Sequence, residues 1–250
     1  MIRQTKFVQS KRLKISIICT ATLIFVAGLV ALGSWQVQRL GWKHDLMARV
    51  EQNVHAVPMP APTLLEWKNA DHKALEYRAV KLTGHYLNDN ETHVGALTEK
   101  GSGYWIITPF QRDNGEIVFI NRGFVPSNKR DPLNRTDGQI EGEVTVTGLL
   151  RLTEPKGFFL RQNEPDKNIW YARDIEVFAD RLALKNVPDY FIDANAEQNR
   201  TNRPEGGMTV IKFADNHLAY ALTWFALAAM VLAMAIFLIR YELKRDEHNE

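Results

Sequence analysis

The chain has 250 residues, a formal net charge of +2 and one cysteine. That length accommodates one sizeable domain plus accessory segments. A single cysteine excludes an intramolecular disulfide and a thiolate cluster for zinc or an iron–sulfur centre. The basic residues form no stripe interleaved with aromatics, which argues against nucleic acid as a partner.

Arg3, Lys6, Lys11, Arg12 and Lys14 give residues 1–14 a basic character. From Ile15 to Leu32, "ISIICTATLIFVAGLVAL" carries no charge, and a second uncharged run extends from Leu218 to Ile239. At about 1.5 Å per helical residue, each can cross a hydrocarbon core of about 30 Å. Lipid offers the backbone no hydrogen-bond partners, so both runs are expected to be helices. A cleaved signal peptide is the competing reading of the first run, with Ala31-Leu32-Gly33 as its small-x-small site. The apolar run exceeds the roughly 7–15 residues of a signal core, which favours a retained anchor. Cys19, inside that run, is expected to be a buried small apolar side chain.

Beyond the first run, "WQVQRLGWKHDLMARVEQNV" keeps helical spacing through Leu40, Met47 and Val50, so the helix should continue outward. Pro58, Pro60 and Pro62 then mark a linker. Strand signals follow in "YRAVKLTGHY", "GYWIITPF", "EIVFINRGFV" and "GEVTVTGLLR", rich in alternating, β-branched and aromatic residues. Asp113-Asn114-Gly115 joins two of them as a hairpin signal. "DIEVFADRLAL" reads as a helix capped by Asp174, followed by a last strand around "DYFIDAN". The fold class expected is α+β: two transmembrane helices flanking an external domain with a mainly antiparallel β-sheet.

Arg240, Lys244 and Arg245 follow the second run, diluted by Glu242, Asp246 and Glu247. The positive-inside rule then places both termini in the cytoplasm. Trp35, Trp42, Tyr220 and Trp224 suit the outer interface, where amphipathic rings settle. The expected division is a cytoplasmic leader 1–14, a first span 15–32, a periplasmic domain 33–216, a second span 217–239 and a cytoplasmic tail 240–250. The short basic leader leaves no room for a mitochondrial presequence, which points to a bacterial inner membrane.

The seven histidines show no zinc-protease spacing, no glycine-rich loop suits a phosphate, and no serine has a nucleophile-elbow context. Nothing argues for a catalytic centre. "VFINRGFVP" is more specific, since it ends a strand on Asn121-Arg122-Gly123. Arg122 either satisfies carbonyls of a turn or presents a guanidinium fork to a carboxylate, a partner's or a cofactor's. At the lip of the second span, His217 shares a helical face with Tyr220, Ala221 and Trp224. It is an interfacial anchor, a packing residue or a metal ligand, and Asp215 or Asn216 should cap its helix. Ala221 and Ala228 leave space for a flat macrocycle or for a close helix neighbour.

Six separated stretches carry a resemblance: "GSWQVQRLGWK", "YRAVKLTGHY", "NRGFVP", "VTVTGLLR", "NEPDKNIWYARD" and "NHLAYALTWF". In this order they resemble the surfeit locus family of cytochrome c oxidase assembly factors, from about Gly33 to the end of the second span. Phe124 departs from the pattern, where tryptophan is common. The resemblance implies a non-catalytic membrane factor serving heme-copper oxidases, with heme a as cofactor and supply of it to the catalytic subunit as the task. Its partners would be that subunit and the heme a synthesis machinery. The family's proposed heme-binding histidine falls at His217, making it the implied metal ligand. Tyr220 and Trp224 match the aromatic positions after it, and Gly84 matches a glycine of the first strand motif. The alternative is a scaffold that holds oxidase assembly intermediates, with His217 only an anchor.

Overall fold

A computed structural model describes residues 2–155, 163–196, 204–209, 211 and 215–244. Two compact units divide the chain, one of residues 1–48 with 212–250 and one of residues 49–211. The basic tail residue Arg245, with Asp246, Glu247 and His248, lies outside the described residues.

The first unit is helical. Helix α1 (Ile2–His55) is one continuous helix of 54 residues, which carries the leader, the apolar run and the segment after it. Helix α5 (His217–Lys244) spans 28 residues. Both are long and apolar enough to cross a membrane. They pair antiparallel, as contacts of Gln36 with His217 and of His44 with Asp215 set the register at one end. Ala221, Ala228 and Ala235, seven residues apart, are the buried residues of α5. Ile18, Thr22, Val26, Leu29, Gly33 and Gln36 form the corresponding inner stripe of α1. A seven-residue repeat is the spacing of helices crossing at about 20°, and small residues let the backbones approach. Gly33 sits so close that a Cβ there would lie 2.7 Å from the Phe225 ring. Cys19 does not meet its expectation, because it is exposed on the outward face of α1. On a membrane helix that face meets lipid, which suits a small apolar side chain as well as a protein core does.

The second unit is built on seven strands: β1 (Met59–Pro60), β2 (Ala79–Tyr86), β3 (Thr92–Thr98), β4 (Gly101–Arg112), β5 (Ile117–Pro126), β6 (Val144–Leu152) and β7 (Tyr190–Ala194). Their order is β1-β2-β6-β7-β5-β4-β3, and β2 also pairs with β4. Strands β2, β6, β7, β5 and β4 therefore close into a ring, with β1 and β3 attached outside it. Most pairings are antiparallel, as expected, while the short β1–β2 and β5–β7 pairings are parallel. The ring encloses Val80, Leu82, Phe110, Val118, Ile120, Val146, Leu150 and Ile192. Helix α4 (Ile175–Arg181) covers the opposite face of β5 and β7, packing Ile175 and Phe178 on Phe119 and Phe191. Each such apolar side chain contributes roughly 1.5–3 kcal/mol by leaving water. Asp174 caps α4 as expected, accepting a hydrogen bond from the Val177 amide.

Closure depends on Gly84. Strand β2 pairs with β6 up to this residue and with β4 from this residue onward. A Cβ on Gly84 would stand 2.1 Å from the Gln111 carbonyl oxygen. The expected hairpin joins β4 to β5, with Gly115 at φ 78°. In the proline-marked linker, helix α2 (Leu64–Lys68) follows Pro62, started by a reciprocal capping box between Thr63 and Glu66. A second short helix, α3 (His72–Leu75), starts at Asp71.

Candidate functional site

The sequence-derived candidates fall in two places. Three of them stand at the start of α5, in the helical unit. His217 is the first residue of α5, and its backbone amide donates to the Asp215 carboxylate at 3.2 Å. The other Asp215 oxygen contacts His44 Nε2 at 3.0 Å. Partial desolvation would raise the Asp215 pKa, but the His217 amide and His44 outweigh it and hold the carboxyl below its ordinary value. The expected cap is thus Asp215.

The His217 ring is half-buried, with Nδ1 2.7 Å from Gln36 Oε1. Gln36 belongs to "GSWQVQRLGWK", so two of the family-like stretches meet in one hydrogen bond. An amide oxygen can only accept, so in the tautomer that satisfies this contact Nδ1 donates to it and Nε2 carries the lone pair. Trp224, two turns on, is half-buried beside the same seam, while Tyr220 is 55% exposed on the flank. Ala221 and Ala228 are buried on the inner stripe, so of the two uses open to them these alanines serve a close helix neighbour. His217, Tyr220 and Trp224 consequently border an open edge of the hairpin rather than a groove through it.

Arg122 lies in the sheet unit. Ile106 pairs with Gly123 and Ile107 with Asn121, which leaves Arg122 as the extra residue of a β-bulge. A bulge re-aims a side chain, and here it turns a guanidinium inward. Arg122 is fully buried, lies 4.5 Å over the Tyr86 ring, and donates to Asn88 Oδ1 at 3.3 Å and to the Gly138 carbonyl. Burial pushes the Arg122 pKa down and lifts the Tyr86 hydroxyl up to about 12. The strand does not end at Asn121-Arg122-Gly123 as expected but runs on to Pro126, so Arg122 reaches an amide side chain and a carbonyl of other segments rather than those of a terminating turn. At 0% exposure the guanidinium lies inside the protein.

Sequence reasoning missed what surrounds it. Glu91 accepts from both Arg135 nitrogens and sits 2.6 Å from His93 Nε2. Burial would raise the Glu91 pKa, but the bonds from His93 and Arg135 prevail and hold it below its ordinary value. A second buried network joins β5, β6 and β7. Asp193 accepts from Asn121 at 2.7 Å, Arg151 at 2.9 Å and Thr209 at 2.9 Å, and Arg173 is 3.4 Å away. Glu154 takes the other arms of both arginines. Asn121, Arg151, Arg173 and Asp193 line a cavity of about 170 Å³ with Trp105 and Met208. Three of the four come from the family-like stretches, and Arg151 and Arg173, at or beside the ends of "VTVTGLLR" and "NEPDKNIWYARD", were the available signal.

A model described as the SURF1 family matches residues 23–229. The chain belongs to the SURF1 family. It is 37% identical over 225 residues to Surfeit locus protein 1 of Rattus norvegicus, across 83% of this chain and 71% of that protein. The Homo sapiens protein is 38% identical over 216 residues, across 79% and 69%. The SURF1-like protein of Drosophila melanogaster is 31% identical over 226 residues, across 83% and 72%. The SURF1 match takes in Gln36, Gly84, Arg122, His217, Tyr220 and Trp224, so the motif resemblance and the family agree along the chain.

Proposed function

We propose that this protein is a non-catalytic, two-pass membrane factor in the assembly of a heme-copper cytochrome c oxidase. In this reading it binds heme a through His217, taking it from the heme a synthesis machinery and assisting its delivery to the catalytic subunit. Membership of the SURF1 family supports the assembly role. The observation that carries heme binding is the His217 ring, anchored through Nδ1 at the open edge of an apolar hairpin. A half-buried imidazole with aromatic side chains on the same helical face has the donor chemistry that heme iron takes axially. When bound, heme a supplies an iron for that nitrogen and a flat apolar ring.

The remaining work falls to the chain's own residues. Asp215 holds the first turn of α5, Gln36 fixes the ring, and Trp224 and Tyr220 offer aromatic surface on the same edge. A ligand held by one side chain at an open edge can leave again, which suits a carrier better than a resident cofactor site.

Purified His217→Ala protein, made with heme biosynthesis intact, should lose its Soret absorbance or show it strongly shifted, while still inserting and accumulating. Trp224→Ala should weaken heme retention less, because ring packing is worth less than an iron bond. Heme content by pyridine hemochrome equal to the parent's in His217→Ala would end the ligand role. A parent protein free of heme would leave an assembly scaffold, with His217 as an interfacial anchor.

A further inference from the structure

Gln36 is a polar side chain on the inner stripe of α1, beyond Ile18, Thr22, Val26, Leu29 and Gly33. Its neighbours Trp35, Val37 and Gln38 are exposed, so helical geometry turns Gln36 specifically toward α5. Between membrane helices a single such bond adds little to helix pairing that the alanine seam already provides. Its chemical consequence is larger. A carbonyl oxygen 2.7 Å from Nδ1 favours the tautomer with its proton on that nitrogen.

We infer that Gln36 is a positioning residue that selects the Nδ1–H tautomer of His217 and so presents Nε2 as the ligating atom. The inference rests on the heme-binding reading for its use, but the tautomer is a property of the protein alone. Around the ring, Asp215 is engaged by the His217 amide and His44, so among the described residues Gln36 is the acceptor facing the ring nitrogen. Metal-bound histidines commonly donate their second nitrogen in this way, and loss of that partner lowers metal affinity about 10–100-fold.

The test uses the full chain in detergent at mildly alkaline pH, without added heme. Ring nitrogens of His217, assigned by comparison with His217→Ala, are read by long-range proton–nitrogen correlation. The parent should show a protonated Nδ1 and a pyridine-like Nε2. Gln36→Leu should show a mixed or reversed pattern, and Gln36→Glu, which retains an acceptor, should keep the parent's pattern. A protonated Nε2 in the parent, or an unchanged pattern in Gln36→Leu, overturns the inference. Hemin titration then separates the two proposals. Affinity should fall about 10–100-fold in Gln36→Leu and recover in Gln36→Glu. A parent that takes no heme defeats the heme reading while the tautomer result stands.

Discussion

At the residue scale, the buried charges of the sheet unit are held by geometry that single substitutions expose. Glu91 is the clearest case, because its carboxylate takes Arg135 on two arms and His93 on a third. Its folded pKa lies below the ordinary 4.5. A depressed carboxylate contributes stability that is present above the unfolded value and is lost as pH falls through the folded one. Glu91→Gln should therefore cost about 1–3 kcal/mol near neutrality, the worth of hydrogen bonds to a charged group. Acidification from pH 7 to about 3 should shrink that difference toward zero as the parent protonates. Thermal unfolding of parent and variant across this range checks the sign, and a gap that widens with acid would show that the cluster stabilises by another route.

At the element scale, the strands were legible because their alternation is local, and their closure was not. The residue pattern gives β2 two faces, yet only the arrival of Gln111 from β4 shows why Gly84 has no side chain. The same limit hid Arg122, whose inward turn comes from a bulge against Ile106 and Ile107 that no spacing within β5 announces. Helix α2 failed for a different reason. Its Thr63–Glu66 capping signal stood in the sequence, masked by three prolines just before it. His217 was legible as a candidate, whereas its bond to Gln36 depends on the register between two helices far apart in the chain. Gly84→Ala tests the closure directly, since its Cβ would meet backbone rather than a movable side-chain tip. The expected loss is about 1–3 kcal/mol or more, seen as a lowered unfolding midpoint of the full chain in detergent. An unchanged midpoint would mean that β2 and β4 can separate there at no cost.

At the scale of the whole molecule, two apolar helices enclose an α+β domain in the sequence. From the basic residues before the first span and after the second, the positive-inside rule leads us to propose that both ends lie on one side of the membrane and residues 33–216 on the other. Reporter fusions after Gly115 and after Glu250 should report opposite compartments, the first external and the second cytoplasmic. Activity of a cytoplasmic reporter at Gly115 would reverse the assignment.

The place of β7 in the ring has a consequence for how the protein is made. This last strand is inserted between β5 and β6, pairing with one in parallel and the other antiparallel. A ribosome delivers the chain from its N-terminus, so every earlier strand emerges before the one that joins them. Until Tyr190–Ala194 arrives, β5 and β6 each offer an open edge to any passing strand, and the pairings that end the wait are long-range and slow to form. A nascent chain of this architecture needs guarding up to the point where the second apolar helix begins, and a message cut short before that strand yields a sticky product rather than a smaller working domain.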